Sequence, residues 1–283
     1  MIDAQATVSM TDLLSSFGSS NLAGLAIVAG VAAAFVAGGI VKGILGVGLP
    51  LVMVPALSLV MPTPQAISLL AIPVLAANLW QAIDSGVAIG RLRRFFPLLV
   101  ALVGATLVTV PLALAMPSGM LTLMVALAVL LAALSMAFRP QFDIPARRQR
   151  LAGVAVGALA GVVGGVSSLT GPVVIAYLSA LKLEREDFIG CISVIYLFSA
   201  IPLYASLAAH GRLGASELAV SLVGLLPMAC GLLIGKWLRG FFSELWFRRT
   251  ILAFLAVSAA ALLLQATELT HAPPSANFKF WNK

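Results

Sequence analysis

Apolar residues run along this chain in blocks separated by short polar or basic stretches, and the blocks fall into two lengths. The long ones are Leu22 to Val41, Gln65 to Ile83, Phe95 to Met116, Met120 to Phe138, Leu151 to Val163, Phe188 to Ala208, Leu218 to Trp237 and Trp246 to Gln265. A hydrocarbon core of about 30 Å is crossed by roughly 17 to 25 apolar residues, so these blocks predict eight full transmembrane helices. Leu51 to Met61 and Val173 to Leu181 are too short for that. At about 1.5 Å per residue they extend only about 14 to 17 Å, which predicts half-helices.

Each half-helix follows a Gly-rich break that ends in proline: Gly39 to Pro50 reads GIVKGILGVGLP and Gly161 to Pro172 reads GVVGGVSSLTGP. The windows lie 122 residues apart and share Gly39 with Gly161, Val41 with Val163, Gly43 with Gly165 and Pro50 with Pro172. In both halves a long helix, a break, a half-helix and three full helices follow in the same order. The chain therefore reads as two copies of a five-element unit, the mark of internal duplication. The expected organisation is an extracytoplasmic segment at 1–21, a first transmembrane repeat at 22–138, a basic cytoplasmic linker at 139–150, a second repeat at 151–265 and a tail at 266–283. The fold class is an all-α polytopic membrane protein built from two inverted repeats.

Composition agrees with the blocks. Of 283 residues 61% are apolar and 10% charged, with a mean hydropathy of +1.10, far from the balance of a soluble domain. A net charge of +7 would suggest nucleic acid for a soluble protein, but here the basic residues lie in short loops, and no nucleic-acid partner is expected. Their meaning is topological. If the ten segments alternate sides and Met1 to Asn21 lies outside, only Arg212, Lys279 and Lys283 of the 17 basic residues fall outside, as the positive-inside rule requires. An odd number of elements per half then sets the two copies in opposite orientations, with both chain termini outside. Met1 to Asn21 carries Asp3 and Asp12 but no Lys or Arg, and so lacks the basic opening of a cleavable signal peptide.

Candidate chemistry concentrates at the breaks. Non-helical backbone at membrane depth must be buried in protein or line a watery cavity, so both breaks point inward. Pro50 and Pro172 sit in the first turn, where a missing N–H is no loss, so each half-helix begins at its break. The free amides and positive dipole end of each face the cavity and favour an anion. Lys42 adds a full positive charge with no acid near it in sequence. It suits either of two roles, a counter-charge for an anionic ligand or a side chain snorkelling to cytoplasmic headgroups. Ser167, Ser168 and Thr170 offer hydroxyls in the second break, to donate to the same ligand or to back-bond to helix carbonyls. Asn78 and Gln81, flanking Trp80, add a polar patch near the end of the third element and complete the candidate binding set; Tyr196 and Tyr204 lie in the corresponding element of the second half.

What is missing also narrows the function. All ten Asp and Glu residues fall in loops or at segment ends, so no carboxylate of the kind cation carriers and proton-coupled pumps keep is buried mid-span. His210 and His271 lie in outer loops, which leaves Ser167 and Ser168 without a base at membrane depth and a metal without ligands. Cys191 and Cys230 have neither CxxC spacing nor a His partner. No catalytic residue, metal or cofactor is expected. Gly153, Gly157, Gly161 and Gly165 recur every fourth residue as a packing stripe, which serves helices of one chain or of two, so a homo-oligomer is open.

The paired motifs GIVKGILGVGLP and GVVGGVSSLTGP resemble those of the TauE/SafE family of sulfite and organosulfonate transporters, also called the toluenesulfonate uptake permease family. The resemblance covers nearly the whole chain. It departs from the family's glycine runs at Gly48-Leu49-Pro50 and Thr170-Gly171-Pro172. It implies movement of small anions such as sulfite, sulfoacetate or related organosulfonates and carboxylates across the bacterial inner membrane. The residues it carries over are Gly43, Gly46, Gly48 and Pro50 in the first break and Gly165, Gly171 and Pro172 in the second. The expectation is a secondary transporter with a small anionic substrate and the lipid bilayer as partners, working in export. Two rivals remain: a channel or carrier for neutral solutes on the same scaffold, and a membrane-embedded enzyme or complex scaffold.

Overall fold

The computed structural model describes residues 22–46, 48–87, 89–138, 144–238, 241 and 244–271. The expectations for the N-terminal segment 1–21, for Arg139 and Asp143 in the linker, for Arg239, and for the tail from Ala272 to Lys283 lie outside the described residues. The helices are α1 (Leu22–Leu45), α2 (Leu49–Ser58), α3 (Thr63–Ser68), α4 (Ala71–Asp84), α5 (Ile89–Leu92), α6 (Phe96–Ala115) and α7 (Ser118–Phe138). The second half contributes α8 (Gln149–Ser167), α9 (Gly171–Ala180), α10 (Arg185–Ala209), α11 (Ala215–Leu238) and α12 (Glu244–His271). The α3–α4 stretch Thr63–Asp84 counts as one span, and among the described residues eight spans are long and apolar enough to cross a membrane. The short apolar helices are α2 and α9. No strand occurs among the described residues.

Helices reach further than glycine content predicted. Gly39 and Gly43 lie inside α1, and Gly161, Gly164 and Gly165 inside α8, so α1 runs to Leu45 and α8 to Ser167 before the chain leaves the helix. The physical reason is that apolar surroundings offer the backbone no water, and a helix supplies its own hydrogen bonds. Glycine weakens a helix less when a neighbour packs against it, and here neighbours do. A side-chain carbon on Gly157 or Gly161 would strike the Leu98 or Leu102 carbonyl of α6. On Gly231 or Gly235 it would strike the Val36 or Ile40 carbonyl of α1. The α8 stripe is therefore used within one chain.

These contacts set the arrangement. α1 lies along α11, α8 along α6, α7 along α12 and α4 along α10. Each long pairing joins the two halves of the sequence. The main core runs from Phe35 and Met53 through Leu69, Leu70, Val125 and Val129 to Leu255 and Leu262, and a second cluster around Phe95, Leu102, Leu178 and Ile192 lies where α6, α9 and α10 meet. Large apolar side chains such as Phe96, Val108, Leu226, Val257 and Leu264 point away from both. For chains with a bilayer as solvent, such an outer surface needs no cover.

Candidate functional site

Both short helices begin with the same backbone device. At the end of α1, Gly46 takes the left-handed conformation (φ 78°) and its N–H closes the last turn on the Lys42 carbonyl at 2.8 Å. At the end of α8, Ser168 does the same with φ 60° and a 2.7 Å bond to the Gly164 carbonyl. Glycine adopts this conformation freely, whereas a serine there is held at a cost of about 1 to 2 kcal/mol. Gly48, also left-handed, precedes α2, and Pro50 and Pro172 occupy the first turn of α2 and α9.

The two helix starts converge on one cavity of about 450 Å³. Its walls take Lys42, Gly48, Pro50 and Leu51 from the first half, Ser168, Thr170, Gly171 and Pro172 from the second, Asn78 from α4, and Tyr196, Ser199, Ala200 and Leu203 from α10. Among the described residues lining it none is acidic. Two are basic, Lys42 and Arg248.

Lys42 is only 6% exposed. Its ammonium donates to Asn78 Oδ1 at 2.9 Å and to Gln81 Oε1 at 3.3 Å, and Gln81 Nε2 in turn donates to the Gly46 carbonyl at 2.9 Å. Asn78 and Gln81 are three residues apart on α4 and therefore share a helix face. The ammonium does not snorkel outward. It is held inside by neutral acceptors, no carboxylate contacts it among the described residues, and its third N–H has no protein partner there. Arg248 differs, because its Nε and Nη2 are bound to the Met136 and Ala137 carbonyls in the last turn of α7.

In the second break the hydroxyls separate. Ser167, fully buried, donates to the Val163 carbonyl at 2.7 Å, the back-bonding alternative, and is not part of the lining. Thr170 Oγ1 lies 2.7 Å from Ser199 Oγ, and the Tyr204 hydroxyl approaches Ser168 without reaching hydrogen-bond geometry. Among the other candidates, Gly43 packs on α11 beside Leu232 and Gly235, and Gly165 packs on Thr109 of α6. Gly46 and Gln81 stand behind Lys42 rather than in the wall.

Ser199, Arg248 and Tyr196 join the cavity wall without having been among the candidate binding residues. A signal for the α10 wall exists: Tyr196, Ser199, Ala200 and Leu203 follow the i, i+3, i+4, i+7 spacing of one helix face within an apolar span. Arg248 has no such signal, since a basic residue at a helix end reads as a topology marker.

No match was found among curated proteins or among solved structures. A family model described as Sulfite exporter TauE/SafE matches residues 30–262, a stretch that contains both helix starts and every residue lining the cavity, and the chain accordingly belongs to the TauE/SafE family of membrane transporters.

Proposed function

We propose that this chain moves small oxyanions, such as sulfite, sulfoacetate or related organosulfonates and carboxylates, across the bacterial inner membrane, with both termini on the periplasmic side. One observation carries the reading: a buried ammonium, Lys42, faces a cavity that has no acidic residue and offers it only neutral partners among the described residues. An uncompensated charge in an apolar interior is costly, and amide oxygens offset only part of that cost. An anion in the cavity would complete it, with the starts of α2 and α9 adding their dipole ends. A neutral solute would leave Lys42 as it is.

The scaffold we infer is an inverted repeat. A shift of 122 residues carries the end of α1 at Leu45 onto the end of α8 at Ser167, and α2 at Leu49–Ser58 onto α9 at Gly171–Ala180. It also carries Gly46 onto Ser168, and the cavity residues Val74 and Asn78 onto Tyr196 and Ala200. Exchanging the halves turns the α1–α11 pairing into α8–α6, and leaves α4–α10 and α7–α12 unchanged. Such a pair can rock about a fixed central site, exposing it to one side and then the other. The lining already extends to helix ends at Met136 and Arg248, on the side we assign to the cytoplasm. A potential negative inside favours anion exit by about 2.3 kcal/mol per charge per 100 mV, so export needs no coupling ion.

The test is counterflow of labelled sulfite and sulfoacetate in proteoliposomes holding the purified chain. Saturable exchange that responds to membrane potential is expected. Flux indifferent to potential and to competing sulfite would favour a neutral-solute carrier, and no transport of any kind would favour a scaffold or enzyme.

A further inference from the structure

We propose that the Tyr196 hydroxyl is a donor to the transported anion and that, with the opening amides of α9, it forms an oxyanion subsite in the second half of the cavity. The inference rests on the anion reading above and adds a binding residue to it.

Tyr196 lines the cavity as a residue, while its hydroxyl oxygen is closed off behind that wall and has no hydrogen-bond partner among the described residues. Buried hydroxyls in folded proteins are nearly always partnered, so an exception on a residue of the cavity wall marks a donor that a small turn of the ring would offer to what the cavity holds. The position is specific. A side-chain carbon on Gly171, the first residue of α9, would lie 2.8 Å from the Tyr196 oxygen, so the hydroxyl stands directly against the start of that helix. There Pro172 has no N–H, and the N–H groups of Gly171 and Val173 have no acceptor among the described residues; the first bond of this turn is made by Val174 to the Thr170 carbonyl. In α2 the equivalent position is already used, since Leu51 N–H bonds to the Gly48 carbonyl at 3.0 Å. The α9 start thus keeps one more donor unspent than the α2 start, the N–H of Val173.

Ser199, one turn from Tyr196, adds to them. It shares a single hydrogen bond with Thr170, which uses one of the two hydroxyl protons and leaves the other to be donated. Tyrosine O–H, helix-start N–H and a spare hydroxyl proton make a donor set suited to a group that only accepts, which describes sulfite, a sulfonate or a carboxylate. Tyr204 is also buried without a partner, but it is not part of the cavity wall. Gly171 has a role in this arrangement, because any larger residue would displace the tyrosine oxygen.

The experiment compares wild type, Tyr196→Phe and Lys42→Gln in detergent, reading the affinity for sulfite and sulfoacetate by ligand-induced thermal shift. Tyr196→Phe removes only the hydroxyl. Its unliganded melting temperature is expected to equal or exceed that of wild type, because a buried unpartnered group has gone, while affinity falls roughly 10- to 100-fold, as for loss of a bond to a charged ligand. A Gly171→Ala chain, which crowds the hydroxyl without removing it, is expected to lose affinity as well. Affinity retained in both variants but lost in Lys42→Gln would overturn the subsite and leave the anion reading standing. Wild-type protein that binds neither probe would overturn both.

Discussion

The two breaks share a backbone and differ in chemistry. Each ends a long helix with a left-handed residue and starts a ten-residue helix with proline in its first turn. The first break concentrates a charge: Lys42 is tied through Asn78 and Gln81 to the Gly46 carbonyl, and its own left-handed residues are glycines that adopt the turn without strain. The second has no charge but several donors: Ser168, the Thr170–Ser199 pair and Tyr196, arranged around a strained serine. The inverted repeat proposed above would tolerate identical halves. Under the proposed anion reading, halves that differ suit an asymmetric ligand, with one side of the cavity providing charge and the other directional hydrogen bonds.

The largest effect should come from removing the charge. Lys42→Ala and Lys42→Gln are each expected to lower anion counterflow by more than one order of magnitude, roughly 30-fold or more, since loss of one partner of a buried charge pair costs about 2 to 5 kcal/mol. Undiminished flux in both would remove the first break from the site. A subtler change inverts its role: Asn78→Asp should keep the chain folded, pair with Lys42 in the apo protein and reduce anion affinity at least about tenfold, because the ammonium would already be neutralised. If Asn78→Asp binds sulfite as tightly as wild type, the neutrality of the partners of Lys42 is irrelevant.

Smaller effects test the second break. Asn78→Leu serves as the reference: it leaves the ammonium with Gln81 alone and should cost about 1 to 3 kcal/mol of stability in thermal unfolding. Thr170→Val keeps shape but breaks the pair with Ser199, for about 1 kcal/mol and a modest rise in apparent KM. Ser168→Gly should raise the melting temperature, by the equivalent of up to about 1 kcal/mol, through relief of the left-handed serine. No gain from Ser168→Gly would mean that the strain is not there, and the contrast with Gly46 would lose its backbone half.

Much of the scaffold was legible along the chain. A bilayer imposes a length on every span and forbids unsatisfied backbone, so blocks such as Phe95 to Met116 and Met120 to Phe138 map onto α6 and α7 within a few residues. Half-helix starts were legible because proline after a glycine-rich stretch is favoured in a first turn, where Pro50 and Pro172 lie. Glycine was a weaker guide. Gly161 and Gly165 read as a break but are helical, because what decides their state is whether α6 packs against them.

What the sequence by itself determined was the medium, the number of long spans and where the two short helices start; these follow from local composition against a solvent of known thickness. Only the tertiary structure decided that both short helices open on one cavity, that Lys42 turns inward to Asn78 and Gln81 rather than out to headgroups, and that Ser167 back-bonds while Thr170 meets Ser199. Those outcomes depend on which helices lie side by side. The partners of Lys42 stand 36 and 39 residues along the chain, and Thr170 and Ser199 are 29 apart, distances over which local patterns carry no information about contact. Packing of α4 and α10 between the two breaks supplies it.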